Sequence, residues 1–181
     1  MDIREEDLNL REMTEADIPT IMEIEHELFY VPWTPDLFLE ELASRDEFYQ
    51  VIKGKKVTSK HSYLLECKGQ IVGFFLGWAI FGEYSLMNIG VRKSHQKLGL
   101  GSFLLQNVIE KALELECLTL YLEVRESNIP AQKLYRKFGF EQISIRKNYY
   151  HQPTENALVM RLDLDVSGEK MDALLDYILR A

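Results

Sequence analysis

Cysteine is scarce in this chain. There are two in 181 residues, Cys67 and Cys117, without the paired spacing of a zinc site or a redox motif, so a disulfide-stapled or metal-nucleated fold is excluded and both read as reduced core thiols. Long apolar runs are missing too. The longest, Ile71 to Gly82, is well short of the roughly 20 residues that span a bilayer. The opening, Met1-Asp2-Ile3-Arg4-Glu5-Glu6-Asp7, is too charged for a signal-peptide core, and a cytoplasmic protein without membrane association is expected. Positive charge is in deficit, 21 Lys and Arg against 29 Asp and Glu. The net −8 disfavours direct nucleic-acid binding and suits either a basic partner or simple solubility. No internal repeat or low-complexity tract occurs, and 28% charged with 46% apolar residues excludes collagen, a coiled-coil rod or long disorder. The length is close to the prior of roughly 150 residues per domain, so a single domain over 1–181 is expected.

What is present alternates between two periods. A short strand at Leu8 to Arg11 precedes Thr14 and Asp17, which start a helix with the stripe Ile18, Ile21, Met22, Ile24 and Leu28. Pro32-Trp33 breaks it. Thr34 then reads as an N-cap with Pro35 at the first helical position, leading into Leu37, Phe38, Glu41 and Leu42. Asp46 to Lys60, with lysines at 53, 55, 56 and 60 around Gly54, reads as a loop or irregular insertion whose lysines are solvated. Three strands follow, His61 to Cys67, Ile71 to Phe81 and Tyr84 to Val91, joined by Lys68-Gly69 and Gly82-Glu83 turns into an antiparallel meander. From Gly99 the period becomes helical through Leu104, Leu105, Val108, Ile109, Ala112 and Leu113. Leu118, Leu120, Leu122 and Val124 then alternate with polar residues, which puts Glu123 on the face away from the leucines. Asn128 and Pro130 start a fourth helix carrying Ala131, Leu134, Tyr135 and Phe138 up to Gly139. Phe140 to Arg146 and Ala157 to Leu164 read as final strands. After Ser167-Gly168 the stripe Met171, Leu174, Leu175, Ile178 and Leu179 predicts a C-terminal helix packed on its own sheet, with dimer formation as the alternative. The fold class is mixed α/β, with one mostly antiparallel sheet of about seven strands flanked by four helices.

The sharpest local signal is Gln96-Lys97-Leu98-Gly99-Leu100-Gly101-Ser102, placed directly after a strand and opening a helix. Glycines let backbone approach a ligand closely, and the unpaired amides and positive dipole end of the helix favour phosphate oxygens, so a pyrophosphate fits. The turn is neither a Walker loop nor a G-x-G-x-x-G dinucleotide turn. A plain tight connection is the competing reading.

Asn88-Ile89-Gly90-Val91 followed by that run resembles the Q/R-x-x-G-x-G/A acyl-CoA signature of the GCN5-related N-acetyltransferase (GNAT) superfamily. Pro32-Trp33-Thr34, Leu122-Glu123-Val124-Arg125-Glu126-Ser127-Asn128, Leu134-Tyr135 with Phe138-Gly139-Phe140, and Arg146-Lys147-Asn148-Tyr149-Tyr150 are similar to its bacterial ribosomal-protein-alanine N-acetyltransferase branch. The likeness covers roughly Leu8 to Leu162, a core of about 8–164. It departs at the longer stretch 46–60, at the extension 167–181, and at Gly90, where alanine is common in the family. The resemblance implies the GNAT fold, acetyl-CoA as co-substrate, and direct transfer in a ternary complex to the N-terminal alanine of a small-subunit ribosomal protein, without a cysteine nucleophile or a metal; a basic protein N-terminus as partner and a monomer or weak dimer are expected. It also implies that Gln96, Lys97, Leu98, Gly99, Leu100, Gly101 and Ser102 hold the diphosphate, that backbone groups of Ile89, Gly90 and Val91 pair with the pantetheine arm, and that Asn128 binds the CoA side chain. Asn128 also fits a helix cap. The alternatives are a same-fold enzyme for a small-molecule amine, and a non-catalytic acyl-CoA-binding module.

Acyl transfer to nitrogen needs a neutral amine, because a protonated nitrogen has no lone pair. An α-amino group with pKa about 7.7 to 8.0 costs roughly 1 to 1.4 kcal/mol to neutralise near pH 7, a lysine near 10.4 about 4.6, which favours a peptide N-terminus for a lone carboxylate base. Glu123 is the candidate base, against a solvated strand-end glutamate. Tyr135 lies on the apolar stripe of its helix and reads alone as a core tyrosine. The resemblance instead makes it the donor to the departing thiolate, a transfer uphill by about 1.5 pH units from phenol to thiol and so coupled to proton loss by the amine. Tyr149, Tyr150, Trp33 and Phe29 are candidates for lining the peptide groove.

Overall fold

Helix-start chemistry sets the α-elements of the computed structural model, which describes residues 3–45 and 47–164. Strand β1 (Leu8–Glu12) leads to a single turn in which the backbone N and Oγ1 of Thr14 donate to Asp17 at 2.9 and 2.7 Å. Helix α1 (Ile18–Leu28) follows. Helix α2 (Pro35–Ala43) starts where Thr34 Oγ1 accepts from Leu37 N. Helices α3 (Leu100–Glu114) and α4 (Ile129–Lys137) complete the four expected, and Asn128 Oδ1 caps the last by accepting from Ala131 N at 3.2 Å. None of these helices is long and apolar enough to cross a membrane. The expected C-terminal helix at 167–181 lies outside the described residues.

The insertion expected to be irregular holds a regular hairpin over 49–58. Strands β2 (Tyr49–Ile52) and β3 (Lys55–Thr58) form an antiparallel hairpin, closed by Lys53 and Gly54 at φ +48 and +76°. Two successive left-handed residues match the right-handed twist of the flanking strands, so X-Gly at the tip closes a hairpin in two residues. The same rule moves the turn expected at Gly82-Glu83 back to Phe81-Gly82. Lys60 also departs from the expectation of a solvated lysine. It opens β4 (Lys60–Cys67), and its buried Nζ donates to Ser44 Oγ at 2.8 Å and Glu41 Oε1 at 3.4 Å.

The remaining strands are β5 (Gln70–Ile80), β6 (Glu83–Val91), β7 (Thr119–Arg125), β8 (Glu141–His151) and β9 (Thr154–Asp163). They form one sheet of seven strands, the number the GNAT resemblance implies, in the order β1-β4-β5-β6-β7-β9-β8. The β6–β7 pair is parallel and its ladder runs from Glu83–Thr119 to Leu86–Leu122.

By contacts the chain forms two compact units. Among the described residues, one takes those from 3 to 78 with Met87–Val108, the other Ala79–Leu86 with 109–164. In the first, Met13, Ile18, Ile21, Ile24, Phe38, Leu64, Phe74 and Leu76 make a buried core, and Arg11 bridges Asp17 (2.8 Å) and Glu66 (2.7 Å), which holds the Asp17 carboxyl well below the usual range. In the second, β7 alternates buried and half-buried as its sequence predicts. Both cysteines are buried free thiols.

Gly73 in β5 is a point of close approach, since a Cβ there would lie 2.8 Å from the Gly90 carbonyl oxygen and 3.1 Å from Leu104 Cδ1. Backbone cannot rotate aside as a side chain can. Gly73→Ala is therefore expected to destabilise by about 1–3 kcal/mol, the usual cost of overpacking a core. Urea unfolding checks this, and an unchanged midpoint would contradict it.

Candidate active site

The first unit carries the glycine turn. Lys97 and Gly99 adopt left-handed backbone, φ +62 and +84°, and a Cβ on Gly99 would meet nothing within 4 Å. The first helical hydrogen bond of α3 runs from Phe103 N to Gly99 O at 3.0 Å, so the amides of Leu100, Gly101 and Ser102 precede it at the positive end of the helix. Of the expected ligand-holding residues, several have side chains engaged inside the protein, among them buried Val91 and Asn128, which caps α4. Gln96 Nε2 donates to Val91 O at 2.9 Å, which ties the turn to the end of β6, and Leu100 is buried in the core. Leu100 thus has only backbone to offer a ligand. Ile89, Gly90 and Val91 lie beyond the last rung of the β6–β7 ladder.

The second unit carries the titratable cluster. Glu123, half-buried on β7, accepts a hydrogen bond from Arg146 Nη1 of β8. A hydrogen bond from the Tyr149 hydroxyl to the Glu123 carboxylate raises the Tyr149 pKa. The Arg146 guanidinium lies 5.1 Å from the Tyr149 ring centroid, and the Tyr149 and Tyr150 rings meet edge-on at 5.1 Å. Arg125 stacks over Tyr150 at 4.0 Å while pairing with Glu155 at 3.1 Å, and Glu155 also accepts from the backbone N of Ser127. Burial, with the Glu123 charge second, pushes the Tyr150 phenol up to about 12. Tyr135 is 6% exposed, its ring 5.8 Å from that of Phe140. Burial, with Tyr150 as a smaller cause, raises its phenol well above the ordinary value. Tyr135 therefore keeps its proton at neutral pH.

Arg146 and Tyr149 address one carboxylate although they stand three apart, which strict alternation along a strand would forbid. A bulge resolves this. The β8–β9 register shifts between Arg146 and Tyr150, and Asn148 sits at φ +52° with its N donating to Asn156 Oδ1 at 3.0 Å. Bulges of this kind re-aim side chains beside functional sites. The roles of Arg146, Arg125 and Glu155 are absent from the sequence reading. For Arg146 the one signal is the Arg-Lys-Asn-Tyr-Tyr run itself, in which Asn is among the residues that tolerate left-handed backbone, and Arg125 and Glu155 lie outside that run. The structure brings Glu123, Tyr149 and Tyr150 together in the second unit, with Tyr135 next to Tyr150. Phe29 and Trp33 stand in the first unit, packed on its core.

Residues 18–140 match the acetyltransferase (GNAT) family, and the chain belongs to that family as an acyltransferase. It is 37% identical over 148 residues to the ribosomal protein bS18-alanine N-acetyltransferase of Haemophilus influenzae, covering 80% of this chain and 91% of that one. The crystal structure of the ribosomal-protein-S18-alanine N-acetyltransferase from Escherichia coli is similar with a TM-score of 0.74 at 29% identity, over 90% of this chain and 97% of the other. Arabidopsis thaliana Naa50, solved in complex with a CoA-acetyl-peptide bisubstrate analogue, shares the fold with a TM-score of 0.70 at 21% identity, over 87% and 99% of the two chains.

Proposed function

We propose that this chain transfers the acetyl group of acetyl-CoA to the α-amino group of a protein N-terminus, the acceptor being the alanine that begins ribosomal protein bS18. The observation that carries the reading is the 37% identity to a bS18-alanine N-acetyltransferase along 91% of that enzyme. The residues present fit the co-substrate. The amides of Leu100, Gly101 and Ser102 face diphosphate oxygens at the start of α3, with Gly99 open above them, and the backbone of Ile89–Val91 pairs with the pantetheine arm as an added strand would. An amide of that strand polarises the thioester carbonyl.

Transfer is direct, within a ternary complex. Glu123 takes the proton of the incoming ammonium, by contact or through one water, and Arg146 and Tyr149 fix its carboxylate meanwhile. The amine lone pair forms the new C–N bond as the C–S bond breaks, and the electron pair leaves with sulfur. Tyr135 donates a hydrogen bond to that sulfur. Asn128 caps α4 and contributes to the CoA site. The core of about 8–164 acts as a single domain in the cytoplasm, as a monomer or weak dimer, with no requirement for nucleic acid.

The test is thiol release from acetyl-CoA with a panel of acceptors: a peptide with the bS18 N-terminal sequence, the same peptide with its α-amine blocked, and small amines including polyamines. Release with the free peptide alone is expected. Release with a small amine but not the peptide would replace this reading by a small-molecule acetyltransferase, and binding of CoA with no release on any amine by a non-catalytic module.

A further inference from the structure

A carboxylate stands in the core of the first unit with no part in the chemistry above. Glu25, on α1, is 0% exposed. Its Oε1 accepts from Asn88 Nδ2 of β6 at 2.6 Å and its Oε2 from the backbone N of Trp33 at 2.9 Å. One side chain thus ties three segments: the helix, the connection between α1 and α2, and the strand residue just before Ile89–Val91. One turn further along α1, Leu28 lies against the same strand. A Cβ on Gly90 would sit 2.8 Å from Leu28 Cδ1, so the glycine leaves room for the helix end. The connection so anchored is apolar and open, with Tyr30 73% and Val31 56% exposed.

We infer that Glu25 is a positioning residue that registers the Phe29–Trp33 connection against the Asn88–Val91 segment of β6, so that the wall receiving the acceptor peptide keeps a fixed place relative to the strand holding the thioester arm. A buried acidic group is costly, and burial raises the Glu25 carboxyl above its ordinary range against the two hydrogen bonds that lower it. An apolar residue would fill the space without that cost. It could not accept from Asn88 and from a loop amide at once. The inference rests on the peptide-acetyltransferase reading, and its test separates the two.

In Glu25→Gln the side chain keeps its volume but presents an amide N–H₂ to one of two donors. The peptide KM is expected to rise about tenfold, with the acetyl-CoA KM within about twofold, and the Trp33 backbone amide to exchange with solvent at least about tenfold faster. The swap Glu25→Gln with Asn88→Asp restores the pattern with polarity reversed. The introduced amide N–H₂ on α1 donates to the introduced carboxylate on β6, while the amide oxygen beside it accepts from Trp33 N, and both peptide KM and amide protection are expected to return. If Glu25→Gln raises both KM values equally, or leaves peptide KM and Trp33 exchange unchanged, the inference fails. A folded swap variant that stays defective overturns it too, even where the single variant does not fold. If the wild-type protein acetylates no peptide, the functional reading fails, and Trp33 exchange in the three proteins still decides whether Glu25 anchors the connection.

Discussion

Glu123→Gln is expected to lower kcat with an N-terminal peptide by about a hundredfold or more while leaving the acetyl-CoA KM within about twofold. General-base contributions run at about 10²- to 10⁴-fold. The substitution preserves shape and leaves one oxygen to accept from Arg146 or Tyr149, so the bulge at Asn148 has no reason to move. The Arg146–Glu123 pair is solvent-facing, the arginine side chain 56% exposed, and such pairs contribute little to stability. Loss of activity without loss of fold is the signature. Because the base acts on an α-amine, the defect should shrink as pH rises through about 8, where much of the acceptor is already neutral. Stopped assays of thiol release over a pH series check this. A loss below tenfold, or one constant from pH 6 to 9, would remove Glu123 from the base role.

Tyr135→Phe is expected to cost a similar hundredfold in kcat. The ring stays against Phe140, and only the hydroxyl goes. Burial raises the Tyr135 phenol, which has two opposed consequences. The proton is reliably present at neutral pH, yet full transfer to a thiolate is more uphill than the roughly 1.5 pH units of the free groups. The hydroxyl therefore stabilises the leaving sulfur by a hydrogen bond that tightens as negative charge develops, and completes transfer only as the amine loses its own proton. An acetyl thioester of a more acidic thiol needs that help less, so the Phe penalty should fall with such a donor. A penalty independent of the leaving group would assign Tyr135 to packing alone.

Much of this was readable from residue order, and the unread parts have physical causes. Thr34-Pro35 and Asn128-Pro130 marked helix starts correctly because capping is a local hydrogen bond, decided within four residues. The alternation in β7 gave the face of Glu123 because a strand buried on one side obeys a period of two. The hairpin at 49–58 was missed because its lysines suppress the apolar contrast by which strands are recognised, although Lys53-Gly54 carried the turn signal. The partners of Glu123 were invisible for a different reason. A bulge breaks the period, and nothing in Arg146 to Tyr149 alone says where the two extra residues fall. Glu25 did have a signal. It sits on the buried stripe, four residues after Ile21 and three before Leu28, where a charged residue is costly unless partnered. Its partners, Asn88 and the Trp33 amide, are remote in sequence, and only the folded chain brings them to it.

The most direct measurement is tandem mass spectrometry of a bS18 N-terminal peptide carrying an internal lysine, incubated with acetyl-CoA and either the wild-type protein or Glu123→Gln. A single acetyl group on the nitrogen of the first alanine, formed about a hundredfold more slowly by the variant, is the predicted result. Acetyl on the lysine instead, or an unmodified peptide from wild-type protein that acetylates a small amine, would contradict the account.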